Sequence, residues 1–228
     1  MEKMIVLNHK MYLEYDEVYE YIDGINNIGT DNNIIVCPSN LYLENFVNNC
    51  NWGIGAQNVY YKEDGEYTGE ISTLQLKSLG VEYCIVGHYE RRKIFKESLK
   101  MVKKKLNACL DSNIIPILCF GSAGTLYNIK DDLDILLDNI KHIEFIIFAY
   151  EPLDLDETPD VDMISDNVNY IYDYLYNRYK SKPNILYGGG VDKDNINNIM
   201  SIDKLNGVMI GNNSYKITEV SKMIENIE

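Results

Sequence analysis

The residues best suited to chemistry in this 228-residue chain stand where its apolar runs stop. Asn8, Lys10, Gln57, Asn58, His88, Glu151, Gly188, Gly189 and Gly211 all fall there. A carboxylate partly buried at a strand end is suited to taking a proton from the carbon beside a carbonyl. An imidazole, an ammonium and an amide supply fixed donors for the oxyanion that such a step creates. The glycine-rich turns YGGGV (187–191) and IGN (210–212) offer backbone N–H groups of the kind that hold phosphate. Taken singly, each residue has a plainer reading. A Glu after a strand is usually a solvated loop residue, and Lys10 alone would be a surface lysine. The glycines of 188–190 alone would mark a tight turn, and His88 alone a structural histidine. Of the three histidines, His9 alternates with Asn8 and Lys10 and is expected to face away from them. His142 precedes an apolar run and is expected on the surface at the opposite end.

Elements that could position such residues recur along the whole chain. Short strands are read at 5–8, 33–38, 52–59, 82–88, 114–121, 144–151, 184–190 and 206–212. They are continuous apolar runs rather than strict alternations, the pattern of parallel strands covered on both faces. Helical spacing marks 16–28, 72–79, 96–110, 125–140, 162–179, 192–200 and 218–227. In 96–110, Leu99, Val102, Leu106 and Leu110 form one stripe, with the lysines read on the opposite face. Eight strands alternating with helices predict an α/β fold, a single-domain (β/α)8 barrel over 1–228, in preference to an open doubly wound sheet. In such a barrel the active site lies at the C-terminal strand ends, where the polar residues collect.

Composition limits the function classes. Lys and Arg total 21 against 35 Asp and Glu, a formal charge of −14, which disfavours nucleic acid and anionic membranes as partners. The same excess argues against an anionic small ligand, unless a local pocket overrides it. The five cysteines are scattered without a CxxC pair, so zinc and redox chemistry find no support and a reducing cytoplasm is expected. Cys84 and Cys119 sit inside apolar runs and read as small buried hydrophobes. No run approaches the roughly 18 apolar residues of a membrane span, and the N-terminus lacks the apolar core of a signal peptide.

One set of segments is more specific. N-x-K at 8–10, GAQNVYYKEDGEYTGEIS at 55–72, GVEYCIVGHYERRKIFKES at 80–98, PILCFG at 116–121, AYEP at 149–152 and YGGGV at 187–191 together resemble the triosephosphate isomerase family. They occur in the family's order and cover nearly the whole chain. The resemblance implies a cofactor-free, metal-free interconversion of dihydroxyacetone phosphate and glyceraldehyde 3-phosphate through an enediolate. Glu151 would be the base and His88 the neutral electrophile. Lys10 would offset charge on the enediolate and phosphate, and Asn8 would complete the site. Glu90 would lie close to the lysine. Gly189, Gly190, Gly211, Asn212 and Thr158 would bind phosphate. Arg91 and Arg92 would be structural. The loop 60–72 would dock into a second copy, with Thr68 approaching the partner's site. The implied assembly is a homodimer, with a tetramer also possible.

The chain departs from the family at identifiable places. After AYEP the family carries a lid with a Trp and a Gly-Thr-Gly-Lys-like hinge. Here 153–163 reads LDLDETPDVDM, with Asp154 at the Trp position and Pro159 and Asp160 replacing Gly and Lys. Asp154, Asp156, Glu157, Asp160 and Asp162 place carboxylates where a dianion should be gripped. Tyr89 replaces a Ser beside His88, Gly190 replaces a Ser, Asn212 replaces a Gly, and Ser122 replaces an acidic residue. Two other functions fit the departures. One is an isomerase of another short sugar phosphate, such as a tetrulose phosphate, with Gly190 making room. The other is a catalytically weakened barrel with a binding or regulatory role.

Overall fold

The structure, a computed structural model, describes residues 3–121, 126–152 and 159–227. Eight parallel strands close into a barrel in chain order. They are β1 (Met4–Asn8), β2 (Asn33–Cys37), β3 (Gly53–Ala56), β4 (Tyr83–Val86), β5 (Ile115–Phe120), β6 (Ile147–Tyr150), β7 (Asn184–Tyr187) and β8 (Gly207–Ile210). The helices are α1 (Tyr15–Asn26), α2 (Leu43–Asn49), α3 (Thr73–Leu79), α4 (Tyr89–Lys93), α5 (Leu99–Asp111), α6 (Leu126–Leu136), α7 (Val161–Tyr179), α8 (Ile196–Met200) and α9 (Ile217–Glu225). Among the described residues, no helix is long and apolar enough to cross a membrane.

Two apolar layers explain the unbroken strand runs. Val6, Ile35, Cys37, Ile85, Ile117, Cys119, Ile147, Ala149, Leu186 and Met209 fill the barrel interior. Ile5, Leu7, Ile34, Val36, Val86, Leu118, Phe148 and their neighbours pack outward against the helices. Both faces are thus buried, and apart from Asn33 and Asn184 at the starts of β2 and β7 the strands hold no polar side chain until the barrel mouth is reached.

Several element boundaries follow from local hydrogen bonding. Ser98 caps α5 by accepting from the Met101 N–H at 3.2 Å, so the helix starts at Leu99 rather than Lys96. Asp192 accepts from the Asp194 and Asn195 N–H groups, closing a turn that delays α8 to Ile196. The short helices α2 and α4 were not expected from the sequence; neither is long enough to show a helical period. One expectation for α5 is corrected. Lys105 does not join the exposed lysines; it is buried and binds Glu97 and the Asn58 side chain. A long aliphatic stem and a charge partner let a lysine occupy the inner face. Cys84 and Cys119 are fully buried, as the sequence implied.

Candidate active site

Strand alternation carries three of the polar residues into the mouth. In β1, Val6 faces the interior, so Asn8 and Lys10 continue on that side while His9 joins Leu7 outside. His9 is buried between Tyr21 and Phe46, at ring distances of 4.4 and 5.6 Å. In β6, Ile147 and Ala149 face inward and Glu151 follows them. His88 does not follow this rule, because Ile85 is interior and Val86 exterior. Gly87 adopts φ +76 and resets the alternation. A Cβ there would also lie 2.6 Å from Val102 Cγ1 and 3.2 Å from the Cys119 carbonyl oxygen.

His88 and Glu151 meet across the mouth. The His88 side chain caps α4, its Nδ1 accepting from the Glu90 N–H at 3.4 Å. A lone pair on Nδ1 assigns the imidazole proton to Nε2. Nε2 faces Glu151 Oε1 at 3.2 Å, and Glu151 Oε2 accepts from the Tyr89 N–H at 3.1 Å. The Glu151 carboxylate is therefore buried, with 3% of the residue exposed, and is held by the Tyr89 N–H with the His88 ring alongside.

Lys10 approaches from the other side. Its backbone has φ +53, a conformation costly for a side-chain-bearing residue. Two contacts hold it: its N–H donates to Asn8 Oδ1 at 3.2 Å, and its carbonyl accepts from Gln57 Nε2 at 2.8 Å. The ammonium donates to Glu90 Oε1 at 2.7 Å. Burial pulls the Lys10 pKa down, but the Glu90 hydrogen bond and charge more than reverse this, leaving it above the ordinary lysine value. The chain of β8 must be thin for the side chain to pass. A Cβ on Gly211 would lie 2.9 Å from Lys10 Cε.

Asn8, Lys10, His88, Tyr89 and Glu151 line one cavity of about 260 Å³ with Gly188, Gly189, Gly190, Val191, Met209, Gly211 and Asn212. The expected site residues Asn8, Lys10, His88, Glu151, Gly189, Gly190, Gly211 and Asn212 are thus together, and Glu90 is bonded to Lys10. Thr68 lies on the exposed 60–72 loop, outside this cavity. Thr158 and Ser122 fall outside the described residues, as do Asp154, Asp156 and Glu157. Asp160 caps a helix. Its Oδ1 caps α7, accepting from the Asp162 and Met163 N–H groups at 3.0 and 3.2 Å. Pro159 packs on Gly190, whose φ is +56; a Cβ there would lie 3.2 Å from Pro159 Cγ.

Other supporting residues carried no sequence signal. Ser214 donates its hydroxyl to the Asn8 carbonyl at 2.8 Å, and the Tyr21 hydroxyl donates to the Ser214 carbonyl at 2.7 Å. A stacked Tyr12–Tyr215 pair, 4.4 Å between ring centres, bridges the segments after β1 and β8. Arg92 donates to the Gly87 and Gly121 carbonyls, and Arg91 binds Glu97. Arg92 thus braces the backbone beneath the site, while Arg91 pairs with a side chain.

A family model described as triosephosphate isomerase matches residues 3–227. The triosephosphate isomerase of Ehrlichia chaffeensis is 36% identical, covering 98% of this chain and 96% of its own. That of Orientia tsutsugamushi is 33% identical, covering 100% and 99%. That of Francisella tularensis subsp. novicida is 31% identical, covering 98% and 96%. With a closed eight-stranded barrel and a matching sequence from end to end, the chain belongs to the triosephosphate isomerase family.

Proposed function

We propose that the chain interconverts dihydroxyacetone phosphate and D-glyceraldehyde 3-phosphate, as an aldose–ketose isomerase. The observation that carries this reading is the Glu151–His88 pair, 3.2 Å apart in a cavity that also holds Lys10 and the glycine-rich turns. Glu151 takes a proton from C1 of the ketose, the C1–C2 double bond forms, and the C2 oxygen takes the Nε2 proton of His88. The proton on Glu151 then returns to C2, while the C1 hydroxyl gives its proton back to His88 Nε2 and becomes the aldehyde. C1 is oxidised and C2 reduced within one molecule, so no external electron carrier enters. A Glu base paired with a neutral His is the division of labour familiar in triosephosphate isomerase. Lys10 and Asn8 stabilise charge on the enediolate and phosphate.

A coupled assay on wild type and Glu151→Gln tests the proposal. General-base removal should lower kcat by about 10²–10⁴-fold, with thermal unfolding nearly unchanged. Full activity in Glu151→Gln would remove Glu151 from the reaction. Pro159 bears on the substrate, because its ring fills the space that Gly190 leaves. That favours a three-carbon substrate over a longer sugar phosphate. The acidic composition of 153–163 implies weaker closure over a dianion, each partly exposed like charge costing on the order of 1 kcal/mol. Catalytic efficiency near the diffusion limit would contradict this.

The active form proposed is a homodimer. A groove of about 280 Å³ beside Lys10 and His88 is lined by Met11, Asn40, Asn58 and Phe95, and Met11 and Phe95 are 89% and 64% exposed. It would receive the partner's 60–72 loop and bring the partner's Thr68 toward Asn8 and Lys10. Sedimentation equilibrium on wild type and Phe95→Glu tests this. A wild-type monomer would refute it, and a tetramer would add a second interface.

A further inference from the structure

The side chain of Tyr89 is unaccounted for by the reaction. Its backbone N–H holds Glu151, a contact any residue but proline could supply. The phenol nevertheless lines the cavity, with its hydroxyl 3.5 Å from Glu90 Oε1. That oxygen is the one that accepts from Lys10 Nζ, and Nζ itself lies 6.0 Å from the Tyr89 ring centre. The Lys10–Glu90 pair is only partly enclosed, with side-chain exposures of 17% and 27%. The Tyr89 ring stands beside both charges. Burial raises the Tyr89 pKa, opposed by Lys10 and reinforced by Glu90 and Glu151, which places the phenol in a partly dry environment.

We propose that Tyr89 is a positioning residue for anion recognition, its ring shielding the Lys10–Glu90 pair so that the ammonium acts on a phosphate group through a drier medium. The inference deepens the isomerase reading, since it concerns how that site holds its substrate's phosphate. The attraction between Lys10 and a bound anion rises as the local dielectric falls, and screening by salt falls with it. At 3.5 Å the hydroxyl is at the limit of a hydrogen bond. The ring therefore carries the effect, and Phe should replace Tyr with little loss.

Titration calorimetry with inorganic phosphate tests this on wild type, Tyr89→Phe and Tyr89→Ser at low and moderate salt. Tyr89→Ser should bind phosphate about threefold to tenfold more weakly, the range of a lost ring–cation contact, and with a steeper salt dependence. Tyr89→Phe should stay within about twofold of wild type, as ring retention predicts. On triose phosphates, Tyr89→Ser should raise KM more than it lowers kcat. Unchanged or tighter phosphate binding in folded Tyr89→Ser overturns the proposal, as does an equal loss in Tyr89→Phe. If Tyr89→Ser does not fold, Tyr89→Leu serves as the ringless variant under the same criteria. The phosphate titration reads Tyr89 directly, so a wild type that turned over no triose phosphate would refute the isomerase reading alone.

Discussion

His9 should make this protein acid-labile by a calculable amount. The residue is 1% exposed, and neither ring nitrogen has a hydrogen-bond partner among the described residues. Burial lowers its pKa from 6.5 to about 3. The unfolded chain therefore binds a proton near pH 6.5 that the native state refuses until about pH 3. Stability from this residue is fully present above the unfolded pKa and is lost as pH falls through that window. One pKa unit is worth about 1.4 kcal/mol, so the whole window holds roughly 5 kcal/mol. Between about pH 7.5 and about pH 5 the loss is roughly 2 kcal/mol. His9→Leu, close in volume and without polar atoms, should abolish that component. The assay is urea unfolding of both proteins at the two pH values and one protein concentration, since association shifts apparent stability. The difference in unfolding free energy between the two pH values should be about 2 kcal/mol smaller for His9→Leu. Equal differences would show that native His9 takes up its proton normally, refuting the reasoning. Acid loss here has a functional cost, because His9 stands between Asn8 and Lys10 in the chain.

Two further outcomes follow from contacts around the cavity. Gly190→Ser restores the residue of the family pattern but should lower stability by about 1–2 kcal/mol, given φ +56 and the Pro159 ring. KM should rise with it, and Pro159→Gly in the same chain should recover part of both losses, as read by thermal unfolding and the coupled assay. Tyr12→Ala and Tyr215→Ala should show a coupling energy of about 0.5–1.5 kcal/mol in a double-mutant cycle, read by chemical denaturation. Strict additivity would mean that the stack does not hold the two segments together.

The barrel and much of its mouth were legible because two simple rules coincide. Burial on both faces made each strand an apolar run, and alternation then carried Asn8, Lys10 and Glu151 inward beyond Val6 and Ala149. His88 was legible only through the family motif, since alternation alone directs it outward and only a left-handed Gly87 brings it back. Asp160 carries a role that its charge alone did not announce. Its capping of α7 depends on the helix starting at Val161, a boundary that composition does not fix. Lys105 shows that a charged residue on a helix is not a reliable marker of the solvent face when a carboxylate waits inside.

The contact between Glu151 and His88 sets what a ligand must displace to reach either group. On the proposed isomerase reading, the group that would polarise the carbonyl and the group that would take the proton already face each other at 3.2 Å. A ligand gains only the difference between the bonds it makes and the one it breaks. A compound with phosphate but no acceptor for the Nε2 proton would have to leave that pair intact, settling in the phosphate end as a lodger.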